Sequence, residues 1–98
     1  QILGYIHSHY AEDLTNIRLG EVFGFHPNSL NRLIVRQTGQ SLHQYLLTYR
    51  LRQAMPLIES GAEPIAAVAA RVGFFDAGYF SKLFRSKIGC SPVEYRKG

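Results

Sequence analysis

Apolar residues along this chain recur at helical spacing in short stretches, and glycine, proline and serine mark where each stretch starts and stops. Leu30, Leu33 and Ile34 form an i, i+3, i+4 stripe. Pro27 before them suits the first turn of a helix, where its missing N–H is not needed. Gly39 is a natural stop, and Ser41 a natural cap for the helix that follows. The spacing predicts a helix over about 27–38 and a short one before it over about 17–23, with Gly24 as the break. Further on, Pro64 opens a short helix carrying Ile65, Val68, Ala69 and Val72, and Gly73 ends it. Asp76 can accept hydrogen bonds from the first N–H groups of the next helix, which buries Phe80, Leu83, Phe84 and Ile88 and stops at Gly89. Between these two stretches lies a longer helix over about 42–60, whose apolar residues spread over more than one stripe, as a connector packing on two neighbours requires. Pro56 removes the bond to the Arg52 carbonyl at a cost of about 3 kcal/mol in a helix interior, which predicts a kink over 52–56 or an early end. An N-terminal helix over about 2–10, with Ile2, Ile6 and Tyr10 on one side, braces the first stretch.

The two stretches are copies of one unit. At a shift of 50 residues, Leu30-Asn31-Arg32-Leu33-Ile34 falls on Phe80-Ser81-Lys82-Leu83-Phe84, Gly39-Gln40-Ser41 on Gly89-Cys90-Ser91, and Tyr45 on Tyr95. Upstream the shift is 49, matching Leu19-Gly20 to Val68-Ala69 and Gly24-Phe25 to Gly73-Phe74, so the first copy is one residue shorter. Each copy reads as short helix, glycine-containing turn, second helix, which is helix-turn-helix spacing. A single copy would equally suit a generic helical hairpin; two in the same register favour the motif. Gly20 and Ala69 are small where the paired helices must cross closely. The predicted architecture is all-α: two tandem helix-turn-helix subdomains over 1–40 and 61–98, joined by a long linker helix over 41–60, about seven helices in all.

Charge adds a partner class. The net charge is +4, and the sequence pI near 9.5 suits an anionic partner. The distribution is more telling. No acid lies between Val22 and Ile58, where Arg32, Arg36, Arg50 and Arg52 stand, nor between Ala77 and Val93, where Lys82, Arg85 and Lys87 stand. Solvated helix faces could carry the same cations, so their position on the fold must decide. The apolar fraction of 46% is that of a folded chain, and 98 residues hold one domain or two very small ones. No apolar run approaches the roughly 20 residues of a membrane helix, and nothing reads as a signal peptide. One cysteine, Cys90, excludes a disulfide framework and fits a reducing cytosol. A start at Gln1 is expected of a fragment of something longer.

The run Ile65 to Arg85, with Val68-Ala69, Gly73-Phe74, Asp76, Tyr79-Phe80-Ser81-Lys82, Phe84 and Arg85, closing with Gly89, Ser91-Pro92 and Tyr95-Arg96, resembles the C-terminal signature of AraC/XylS-type regulators. Arg50-Leu51 followed by Ala54 is similar to the linker helix of that family, and the resemblance covers essentially the whole chain. It implies two units that enter two successive major-groove segments of double-stranded DNA, in a bacterial, cytoplasmic, nucleoid-associated regulator. It also implies activation of transcription with RNA polymerase as a further partner, and a sensing or dimerisation domain outside these residues. Four positions depart from the family pattern: Gly20 for alanine, Asn16 for an apolar residue, Ile34 for phenylalanine, and Pro56 in the linker.

With Leu30, Leu33 and Ile34 inward, Asn28, Asn31, Arg32 and Val35 lie on the opposite face near the start of the predicted helix. A recognition helix offers its N-terminal residues to base edges, where Asn can pair with adenine and Arg with guanine. The matching positions in the second unit centre on Gly78, Ser81, Lys82 and Arg85, flanked by Ala77 and Tyr79. The base-contact candidates are therefore Asn28, Asn31, Arg32, Val35, Gly78, Tyr79 and Lys82. Ser29, Arg36, Ser41, Ser81, Arg85, Lys87 and Ser91 are the phosphate candidates. The first face is richer in hydrogen-bonding groups, so it should carry most of the sequence discrimination.

Other residues read as scaffold. Tyr45, Tyr95, Phe25 and Phe74 are expected to pack in the core or turns, and Cys90 to be a small turn residue. His7 and His9 face opposite ways on a helix, and His26 and His43 have no partners at metal spacing, so neither a metal nor a cofactor is expected. No paired carboxylates, nucleophile–base motif or phosphate loop suggests an enzyme. The alternative is a helical protein-interaction module without sequence-specific DNA binding. RNA is less suited, because its A-form major groove does not admit a helix.

Overall fold

A computed structural model describes residues 2–98. Among the described residues there are seven helices and no strand: α1 (Ile2–His9), α2 (Asn16–Phe23), α3 (Pro27–Thr38), α4 (Leu42–Ser60), α5 (Ile65–Arg71), α6 (Ala77–Ile88) and α7 (Pro92–Lys97). The chain divides into two compact units, 1–49 and 50–98, and the division falls inside α4. The architecture is the all-α, twice-repeated helix-turn-helix that the periodicity predicts, with α2–α3 and α5–α6 as the two motifs.

The first unit closes around Ile2, Ile6, Leu14, Leu19, Leu30, Ile34, Leu42 and Leu46. Each such burial contributes about 1.5–3 kcal/mol before the entropy cost of ordering. Local residues set the helix starts. Thr15 Oγ1 accepts the Arg18 N–H at 3.0 Å, and His26 Nδ1 accepts the Asn28 N–H at 3.2 Å ahead of Pro27. Ser41 and Gln44 exchange bonds at the start of α4, the Gln44 N–H donating to Ser41 Oγ at 3.2 Å. His7 and His9 turn to different neighbours: His7 Nε2 is hydrogen-bonded to the Tyr45 hydroxyl at 2.6 Å, and His9 stacks on Tyr5. Asn16 Oδ1 is buried without a hydrogen-bond partner, a local cost at a position where an apolar residue would leave nothing unsatisfied.

The turn between α2 and α3 explains the first departure from the family pattern. The Phe25 N–H donates to the Gly20 carbonyl at 2.9 Å, just as the Phe74 N–H donates to the Ala69 carbonyl at 2.9 Å in the second unit. A Cβ on Gly20 would stand 2.5 Å from the Phe25 backbone oxygen. The first turn is one residue shorter, which draws the chain against α2 and leaves room only for hydrogen at position 20. The second turn has a residue to spare, so Ala69 fits.

The second unit buries Leu51, Ala54, Ile58, Val68, Ala69, Val72, Phe74, Phe80 and Phe84. Aromatic rings run through it, with centroids 5.1 Å apart for Phe74–Phe80, 5.8 Å for Phe80–Phe84 and 5.6 Å for Phe84–Tyr95. Arg96 ties α7 down by donating to the Ile58 carbonyl at 2.9 Å and the Glu63 carbonyl at 2.6 Å. The internal repeat extends to burial. From 25–45 to 75–95, each position takes the same class, buried, half-buried or exposed, as its counterpart 50 residues on.

Pro56 does not end α4, which continues as helix to Ser60, so of the two expected outcomes, a kink or an early end, the early end is not found. Arg52 and Pro56 both lie on the exposed side, where water can satisfy the carbonyl the proline leaves without a donor. Leu51, Ala54 and Ile58 on the other side are buried, and their packing offsets the local cost.

Two outcomes test these contacts. Gly20→Ala should destabilise the first unit by about 1–3 kcal/mol, as overpacking against backbone does, whereas Ala69→Gly should cost only about 1 kcal/mol; chemical denaturation of the two variants checks the asymmetry. The second concerns the α7 cap, where Ser91 and Glu94 exchange bonds at 2.8 and 3.1 Å. The Ser91 N–H that Glu94 accepts holds this carboxyl below the usual carboxylate range, helped by the Ser91 hydroxyl and by the charges of Arg85 and Lys97. Its folded pKa is therefore below its unfolded one, so the stabilisation is present above the unfolded value, about 4.3, and is lost as pH falls through the folded value. Glu94→Gln copies the Ser41–Gln44 arrangement of the first unit, which does not titrate. Its melting temperature should fall less than that of the wild type between neutral pH and pH of about 3; parallel curves would contradict the assignment.

Candidate nucleic-acid interface

In the first unit α3 leaves Asn28, Ser29, Arg32, Val35 and Arg36 exposed, with Asn31 half-buried beside them. Leu30 and Ile34 are fully buried on the opposite side, so the face expected from the sequence is brought together on one outward surface. Arg32 Nη2 donates to Ser29 Oγ at 3.4 Å, a weak bond between residues three apart that an incoming acceptor can replace. Phe25, Ser29, Arg32, Leu33 and Arg36 line a groove along this surface. The Phe25 ring is 45% exposed and so is less of a core residue than its turn position suggests. Its backbone holds the turn while its ring flanks the cations.

In the second unit α6 exposes Gly78, Tyr79, Lys82, Arg85 and Lys87, with Ser81 half-buried. Asp76 caps this helix through one oxygen, Oδ1, which accepts the Gly78 N–H at 2.8 Å and the Tyr79 N–H at 3.3 Å. Those two amides are occupied and so are not free to meet a phosphate. A Cβ on Gly78 would meet only Asp76 Oδ1, at 3.2 Å, which leaves this point of the backbone open to close approach from outside. Ser41 and Ser91, both half-buried, cap α4 and α7 by accepting backbone N–H bonds at 3.2 and 3.1 Å. The Ser41 hydroxyl proton remains for an outside acceptor such as a phosphate oxygen, whereas the Ser91 hydroxyl also supports the Glu94 carboxylate.

Ion pairing sorts the cations. Arg71 makes a two-pronged contact to Glu63 at 2.9 and 2.6 Å, which lowers the Glu63 pKa, and Arg18 reaches Glu12 at 3.3 Å. Arg96 is held by backbone carbonyls. By contrast Arg32, Arg36, Lys82 and Lys87 make no ion pair among the described residues. Arg85 is intermediate, with a long 3.7 Å approach to Glu94 across an exposed surface, a geometry worth little in water. The cations that hold the fold are thus distinct from those left on α3 and α6.

Sequence reasoning passed over Phe75. It precedes Asp76 in the α5–α6 turn and is 101% exposed, whereas its neighbour Phe74 is 6% exposed. No periodicity exists in a turn to say which of two adjacent phenylalanines goes inward. No helix among the described residues is long and apolar enough to cross a membrane, and no group of three or more His, Cys, Asp or Glu among them is placed to hold a metal ion.

A family model described as a helix-turn-helix domain matches residues 19–98. The HTH-type transcriptional activator RhaS of Enterobacter sp. (strain 638) is 33% identical over 98 residues, which cover 100% of this chain and 35% of that protein. The chain thus spans about a third of the length of the curated relatives it matches. Among solved structures, the C-terminal domain of AraT, a response regulator from Geobacillus stearothermophilus, is 34% identical with a TM-score of 0.92, over 98% of this chain and 80% of that one. The DNA-binding domain of AdpA, a global transcriptional factor solved in complex with a target DNA, is 27% identical with a TM-score of 0.91, over 98% and 86% of the two chains. With its doubled helix-turn-helix, its signature from Ile65 to Arg96 and these relatives, the chain belongs to the AraC/XylS family.

Proposed function

We propose that this chain binds double-stranded DNA sequence-specifically, with α3 and α6 each entering the major groove in successive segments, and thereby regulates transcription as an activator. The observation that carries this reading is the exposed, acid-poor face on each of these helices, whose cations, Arg85 apart, are not consumed by ion pairs among the described residues. The AdpA domain solved with its target DNA, and the activators among the relatives, support it.

Asn28, Asn31, Arg32 and Val35 read base edges in the first segment, and Gly78, Tyr79 and Lys82 in the second. Ser29, Arg36, Ser41, Ser81, Arg85, Lys87 and Ser91 meet phosphates and set the register. Two amides and a guanidinium on α3, against glycine and a capped N-terminus on α6, assign most of the discrimination to the first unit. The relatives' greater length leaves room for a sensing or dimerisation domain and for contact with RNA polymerase, in a cytoplasmic, nucleoid-bound regulator. Catalysis has no part in this reading.

Selection of bound duplexes from a random pool tests it. The selected site should contain two conserved segments about one helical turn apart, near 10 base pairs, and affinity for it should fall steeply with salt, by a log–log slope of about −0.9 per phosphate neutralised. No duplex binding at low salt would favour a protein-interaction module instead. Arg32→Ala should cost about 1–3 kcal/mol on the selected site and relax one base position; a loss that is uniform across sequences would make Arg32 a phosphate contact.

A further inference from the structure

Phe75 is the largest apolar side chain that this fold leaves wholly in water, and comparison of the two units shows that it has no internal task. In the first unit one residue, Phe25, serves the whole turn: its N–H bonds the Gly20 carbonyl at 2.9 Å and its ring lies against the α3 groove. In the second unit, where the turn is one residue longer, Phe74 takes the equivalent bond to the Ala69 carbonyl and buries its ring against Phe80 at 5.1 Å. Phe75 is the residue left over. It stands just before the Asp76 cap, where a phenylalanine could pack back onto Phe80 as a hydrophobic staple, yet it is 101% exposed.

Its surroundings select the occupant. Phe75 is two residues ahead of the N-terminal end of α6, whose first turn exposes Gly78 and Tyr79, and α6 carries Lys82, Arg85 and Lys87 and no acid. On the proposed reading this is the end of the helix that meets base edges. A fully exposed ring there has the chemistry to bury the 5-methyl group of a thymine, the apolar feature that the major groove offers. We infer that Phe75 is a base-reading residue of the second unit, which recognises a thymine through its methyl group at a pair next to those approached by Gly78 and Lys82. The unit with few hydrogen-bonding readers thereby gains an apolar one.

The inference rests on the DNA-binding reading, and its test separates the two. The probe is the duplex selected by the wild-type chain, together with versions in which each thymine in turn is replaced by deoxyuridine, which lacks only the methyl group. Binding of the wild type and of Phe75→Ala is measured on each by fluorescence anisotropy. One deoxyuridine replacement should weaken wild-type binding by roughly three- to tenfold, the scale of one buried methyl group. Phe75→Ala should weaken binding to the all-thymine duplex by a similar factor and be insensitive to that same replacement. The variant should melt at the wild-type temperature, since the ring packs on nothing. Unchanged affinity of Phe75→Ala overturns the inference and leaves the ring to a protein partner, while the DNA-binding reading stands. A loss that persists equally on every deoxyuridine duplex also overturns it, as does a lowered melting temperature. Failure of the wild type to bind any duplex would instead sink the reading beneath it.

Discussion

In each unit a backbone N–H from the turn is hydrogen-bonded to the carbonyl of a small residue in the preceding helix, Phe25 to Gly20 and Phe74 to Ala69. That contact brings the start of the second helix against the flank of the first, and it can form only where the flank carries a very small side chain. Everything outward on α3 and α6 follows from it. Once the crossing is set, Leu30 and Ile34, or Phe80 and Phe84, are driven into the core, and the opposite positions have nowhere to go but solvent. The matching burial of 25–45 and 75–95 is the record of one constraint applied twice.

The two copies meet that constraint with different means. The first shortens its turn and gives up the Cβ at position 20; the second keeps alanine and gains a residue, which leaves one phenylalanine inside and one outside. Caps differ likewise, a histidine nitrogen on α3 and a carboxylate on α6. These local choices give the two outward faces different chemistry on the same scaffold, amides and a guanidinium on one, an open backbone point and an exposed ring on the other. A duplicated unit can thereby keep its fold while its copies diverge in what they contact.

Charge is divided with the same economy. Arg18 and Arg71 are bound to acids and Arg96 to carbonyls, positions that close loops and fasten α7. The arginines and lysines on α3 and α6, Arg85 apart, have no such partner among the described residues. The same residue types therefore serve two ends, and only their neighbours distinguish them. Net charge alone would have counted them together.

Helix extents over 27–38 and 42–60 were legible in the chain itself, because Pro27, Gly39 and Ser41 act on backbone groups within a turn of themselves. The doubled motif was legible because a shift of 50 residues preserves an apolar stripe whose period belongs to the helix. The outward faces of α3 and α6 followed from that stripe. Of the two outcomes the sequence offered for Pro56, the early end is the one the fold overrides: the local cost is real, but the burial of Leu51, Ala54 and Ile58 around it carries the helix through. The sequence could not say why position 20 is glycine, or that Phe74 rather than Phe75 turns inward. Those depend on how far a turn without periodicity carries the chain across a neighbouring helix. Local hydrogen-bonding and periodic burial are properties of the sequence by itself, whereas the distance between two segments brought together by folding exists only in the tertiary structure.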